Sequence, residues 1–100
     1  MSTTSLEARF DALVGQWLDD TRLSSSLRDI TAHRAYQEII AMGRPAVPLI
    51  LRQLDREPRH WNSALKAITG ASPVPREHAG KLDLIARDWL GWARENGYVW

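Results

Sequence analysis

The sequence predicts an all-α single domain of about five helices, and three observations point that way. Apolar residues recur every three or four positions in successive short segments, which is the period of a helix with one buried face. Glycines and prolines fall between those segments, where helices stop and start. No segment of any length alternates apolar and polar residues with the period of two that a half-buried strand needs. One hundred residues is the size of one ordinary domain, and 44% hydrophobic with 25% charged residues is globular rather than disordered composition.

The elements follow in order. Residues 1–20 read as an N-terminal amphipathic helix: Thr4 and Glu7 stand at capping-box spacing. Leu6, Phe10, Leu13, Val14 and Trp17 share one face, and Asp19 and Asp20 oppose the negative end of the helix dipole. Residues 21–30 form a polar connector around Ser24, Ser25 and Ser26, in which Leu23, Leu27 and Ile30 keep helical spacing, enough for a turn or two. Residues 31–100 are expected to form helical hairpins. A second helix is predicted from Thr31 to Met42, with Ala32, Ala35, Tyr36, Ile39 and Ile40 inward and Gly43 as its cap.

Pro45 opens the third helix, where no N–H is needed, and Pro48 fits its first turn. Its inner stripe is Val47, Ile50, Leu51 and Leu54. Pro58 interrupts the chain before a short fourth helix carrying Trp61, Ala64, Leu65 and Ile68, stopped by Gly70. Pro73 and Pro75 keep the next loop irregular. The last helix is predicted from about Gly80 to Asn96, with Leu82, Ile85, Ala86, Trp89 and Ala93 on one face.

Composition excludes several functions. Thirteen basic against twelve acidic residues give a formal charge of +1, without the basic excess that supplies most nucleic-acid affinity. There is no cysteine for disulfides, zinc–thiolate sites or thiol catalysis. The start of the chain is polar and lacks the pattern of a secretory signal, and no apolar run approaches the ~20 residues of a membrane span. A cytoplasmic protein is expected.

No catalytic, cofactor or metal site emerges. His33, His60 and His78 lack the spacing of a helical metal pair, and the three connector serines have no nucleophile-elbow setting. Gly43, Gly70 and Gly97 each follow a helix, which is cap chemistry. Two surfaces remain as candidates. Arg52, Arg56, Arg59 and His60, beside Trp61, form the best basic cluster for an anion or nucleic acid, although Asp55 and Glu57 interleave with it. Five tryptophans are a surplus for a chain this short. Trp17, Trp61 and Trp89 read as core, while Leu49, Leu84, Trp92 and Trp100 lie off the main stripes or at the chain end and are candidates for a partner surface.

The stretch from Met42 through Gly43, Ala46-Val47-Pro48 and Leu49 to Leu54 resembles the turn and second helix of a HEAT-type repeat. That resemblance implies stacked helical hairpins and no chemistry. A wider set resembles a family of small, uncharacterised bacterial proteins. It includes Trp17, Thr21, Ser24-Ser25, the run from His33 to Gly43, His60-Trp61, Ala64-Leu65, Ala67-Ile68-Thr69-Gly70, Pro73-Val74-Pro75, Gly80, Trp89-Leu90, Trp92 and Gly97-Tyr98. The chain departs from that pattern at Arg34, where a proline is expected, and at Asn62, where an aromatic is expected. The family carries no activity over.

The sequence therefore points to a non-enzymatic protein–protein interaction module, an antitoxin-like or accessory subunit of a larger bacterial partner. Another protein or a second copy of the chain is its expected partner. Nucleic-acid binding through the arginine face is the alternative. Repeat arrays normally need about three units for stability, and this chain has material for fewer, so its first helix or a partner must complete the stack.

Overall fold

Ser5 starts the first helix. In the computed structural model, which describes residues 5–100, its hydroxyl accepts the Ala8 N–H at 3.0 Å and opens α1 (Leu6–Thr21). The cap expected of Thr4 lies outside the described residues, and Glu7 instead reaches Arg52 at 2.9 Å. α1 runs one residue past Asp20, whose carboxylate takes a hydrogen bond from His33.

The connector holds a short α2 (Leu27–Ala32), capped by Ser26. α3 (Arg34–Met42) follows directly, so the second helix expected from Thr31 is divided at His33. There the backbone turns extended (φ −56°, ψ 140°), and the imidazole Nδ1 accepts the Ala35 N–H at 3.0 Å. Ala32, expected to point inward, falls on the far side of this break and is exposed.

After Gly43, Arg44–Ala46 form one 3₁₀ turn leading into α4 (Val47–Arg56). Pro45 and Pro48 both sit in first turns, where their missing N–H groups cost nothing. α5 (Asn62–Thr69) ends at Gly70, whose φ of +74° lies in the left-handed region that glycine adopts without penalty. The Pro73–Pro75 loop and a 3₁₀ turn at Arg76–His78 lead to α6 (Leu82–Glu95). The described residues hold six helices and no strand.

Alternate helices pack on one another: α1 on α3, α3 on α5, and α4 on α6. The molecule measures 48 × 34 × 22 Å, and its short dimension is about two helix diameters. Val47, Ile50, Leu51 and Leu54 of α4 and Ile85, Ala86, Trp89 and Ala93 of α6 are buried, as their spacing predicted. Opposite the buried stripe of Phe10, Val14 and Trp17, the outward side of α1 carries Ala8, Ala12, Gly15, Gln16 and Asp19, all exposed.

An aromatic cluster joins α1, α3 and the start of α5. The Trp61 ring centroid lies 4.8 Å from Trp17, 5.7 Å from Tyr36 and 6.0 Å from Phe10. Each such pair adds about 0.5–1.5 kcal/mol beyond the area it buries. The polar ends of these rings are tied to distant backbone. Trp17 Nε1 donates to the Ile30 carbonyl at 2.8 Å. The Tyr36 hydroxyl donates to the His60 carbonyl at 2.7 Å and accepts the Ala64 N–H at 2.9 Å. Ala64 is in the first turn of α5, whose cap residue Trp61 offers no side-chain acceptor. Tyr36 thus caps α5 from another helix. Asn62 accepts the Trp89 indole N–H at 2.8 Å, which gives that position a role no aromatic would fill. Trp61 Nε1 is the one buried side-chain polar atom without a partner among the described residues.

Candidate functional site

The histidines do not assemble. His33 is a helix cap that also contacts Asp20 at 2.9 Å, and His78 Nδ1 lies 2.6 Å from Asp88 on α6. His60 stands apart beside Pro58 and Arg59. Among the described residues, no group of three histidine, aspartate or glutamate side chains is placed to share a metal ion. Ser24 and Ser26 form local hydrogen bonds with the backbone of the connector, at Ser26 and Asp29, and Ser26 is the cap of α2. These are the turn and cap uses that short hydroxyl side chains favour.

The arginine cluster is split between two grooves. Arg52 and Arg56 line a groove of about 330 Å³ between α1 and α4, in which Glu7 and Asp11 face them. Arg52 is paired with Glu7 across that groove. Arg59 and His60 line a different groove of about 400 Å³ under the connector, together with Arg22. Arg59 is paired with its neighbour Glu57 at 2.7 Å. Arg56 has no ion-pair partner among the described residues, and it shares its groove with two carboxylates. Mixed charge of this kind cancels much of the field that a phosphate backbone would feel.

The apolar candidates are mostly covered. Leu49 and Trp92 are half-buried and pack against the core, and Leu84 is half-buried on α6. Trp92 meets the Trp89 ring edge-on at 5.4 Å and stacks on Tyr98 at 5.5 Å. Trp100 donates its indole N–H to Asp55 at 3.1 Å and lies under the Arg94 guanidinium, 5.5 Å from its ring centre. The large apolar side chains that face solvent are others: Leu23 at 92% exposure, Val99 at 85%, Leu27 at 54% and Leu6 at 40%. The helical spacing of Leu23, Leu27 and Ile30 suggested a turn or two, and of the three only Ile30 is buried. α2 begins at Leu27, so Leu23 belongs to the preceding turn and does not share its phase.

Leu27 forms part of the rim of the most apolar groove. This space of about 330 Å³ lies between α5, the Pro73–Pro75 loop and the start of α6. Val74, Pro75, Leu82 and Ile85 give it an apolar wall, and His60, Lys66 and Arg76 are its ionisable side chains. No carboxylate lines it. The groove as a whole is not legible in the residue pattern, because its walls come from four separate stretches of chain.

No known protein family, curated protein or solved structure matches this chain. No helix among the described residues is long and apolar enough to cross a membrane.

Proposed function

We propose that this chain is a non-catalytic protein–protein interaction module of the bacterial cytoplasm, an antitoxin-like or accessory subunit of a larger partner. The observation that carries this reading is the pair of outward leucines, Leu23 on the α1–α2 connection and Leu27 at the start of α2, the second of which rims the apolar groove. Exposing large apolar side chains on a short, otherwise polar connection is unfavourable unless another surface covers them, and such places mark interaction sites. The HEAT-type reading of the hairpins fits the order in which α3 packs on α5 and α4 on α6. In that arrangement, α1 serves as the terminal helix of the stack.

Nucleic-acid binding through Arg52, Arg56 and Arg59 has less support. Two of the three are paired with carboxylates, and the third faces Glu7 and Asp11.

The test is affinity capture from native cells with the tagged chain, run beside a Leu23→Asp, Leu27→Asp double variant. Both positions are exposed, so the variant should keep the wild-type melting temperature. A protein retained by the wild type and lost by the variant supports the reading. Identical capture profiles for the two forms, or no capture together with monomeric sedimentation of both, refute it.

A further inference from the structure

We propose that the groove between α5, the Pro73–Pro75 loop and the start of α6 takes an acidic segment of the partner protein, with one apolar side chain seated inside. The inference rests on the interaction-module reading and names the chemistry of what docks.

Charge is the first reason. The ionisable side chains lining the groove are His60, Lys66 and Arg76, and a carboxylate is absent from its walls. None of the three has a carboxylate within ion-pair distance among the described residues. Glu77 and Asp83, the acidic residues next along the chain, are not part of the lining. Elsewhere on this surface, Arg52 and Arg59 are paired with Glu7 and Glu57. Here the positive groups are left for an incoming anion.

Size and polarity are the second reason. About 330 Å³ is at the lower end of the ~300–1,000 Å³ typical of sites for compact ligands, enough for a large side chain and too small for a whole helix. The floor is aliphatic, from Val74, Leu82 and Ile85, with Leu27 at the rim. A nucleic acid would gain little from it, since none of the five tryptophans lines the groove and stacked bases would find no platform. An aliphatic or aromatic residue flanked by aspartate or glutamate satisfies both features: the apolar group displaces water from the floor while its neighbours meet Lys66 and Arg76.

The experiment is selection of random displayed peptides on the full chain, followed by fluorescence anisotropy with the enriched sequences. The expected result is enrichment of acidic peptides with one large apolar residue, with amide shifts at Ser63, Ser72 and Gly80. Lys66→Glu combined with Arg76→Glu should weaken binding by roughly tenfold or more, since each exposed charge pair is modest alone and reversal counts twice. Leu27→Ser should weaken it independently of salt. Enrichment of basic or uncharged peptides, enrichment undiminished by the double variant, or no enrichment at all overturns the proposal. So does a single-stranded oligonucleotide that binds with a steep salt dependence and is lost in the double variant. If partner capture still depends on Leu23 and Leu27 while no acidic peptide is selected, the interaction module stands and this assignment of the groove falls.

Discussion

Replacing Tyr36 by phenylalanine removes one oxygen and tests how the helices are tied together. That oxygen accepts the buried Ala64 N–H at 2.9 Å and donates to the His60 carbonyl at 2.7 Å. Leaving a buried backbone group unpaired costs about 1–3 kcal/mol. The His60 carbonyl is the less buried of the two and can recover water, so the Ala64 donor dominates. The sum is about 2 kcal/mol. For a domain of this length, that lowers the melting temperature by roughly 8–16 °C. Urea and thermal unfolding followed by circular dichroism at the helix band measure it.

The same hydroxyl makes the difference depend on pH. Burial pushes its pKa well above the ordinary 10.0, and the hydrogen bond from Ala64 opposes that rise only in part. With the folded value raised, the stabilisation is complete below the unfolded pKa and declines as pH climbs beyond about 10, because the unfolded chain releases the proton first. The gap between wild type and Tyr36→Phe should therefore narrow above that pH. A loss under about 0.5 kcal/mol, the range of an ordinary surface substitution, would refute the idea that α3 caps α5.

Two comparisons extend the logic. Trp17→Phe breaks the bond to the Ile30 carbonyl, whereas Trp61→Phe deletes an N–H that already lacks a partner. Both lose ring volume, so Trp17→Phe should be the more costly by about 1 kcal/mol in urea unfolding, and the opposite order would contradict this account. His33→Ala removes the acceptor at the start of α3 and should cost about 1 kcal/mol. His33→Asn keeps an acceptor and should recover much of that in thermal melts; an equal loss in both variants would mean that the imidazole is not acting as a cap.

Much of the fold was legible because it is local. α4 buries the stripe its spacing marked and α6 does so except at Leu82, and Gly43 and Gly70 end helices as expected. Trp17, Trp61 and Trp89 are buried, as their places on apolar faces required. The break at His33 was not legible, since no glycine or proline marks it; a side-chain acceptor competes with the helix there instead. Long-range partners were equally hidden. Arg52 reads as a free cation until α1 brings Glu7 to it, and Trp100 reads as a loose end until α4 brings Asp55. Both pairs are 45 residues apart in sequence, beyond the reach of any periodicity. Leu23 and Leu27 illustrate the remaining difficulty: three apolar residues are too few to fix a helical phase.

The outward side of α1 has a further consequence. Repeat stacks that expose an apolar flank at both ends can lengthen without limit, and a polar terminal helix prevents that. In the row α1, α3, α5, the outward side of α1 is Ala8, Ala12, Gly15, Gln16 and Asp19, with no large apolar side chain, while the groove lined by Lys66 and Arg76 lies at the other end. If the groove takes a partner as proposed, only one end of the row receives a guest, and the complexes should saturate at one per host instead of growing into filaments.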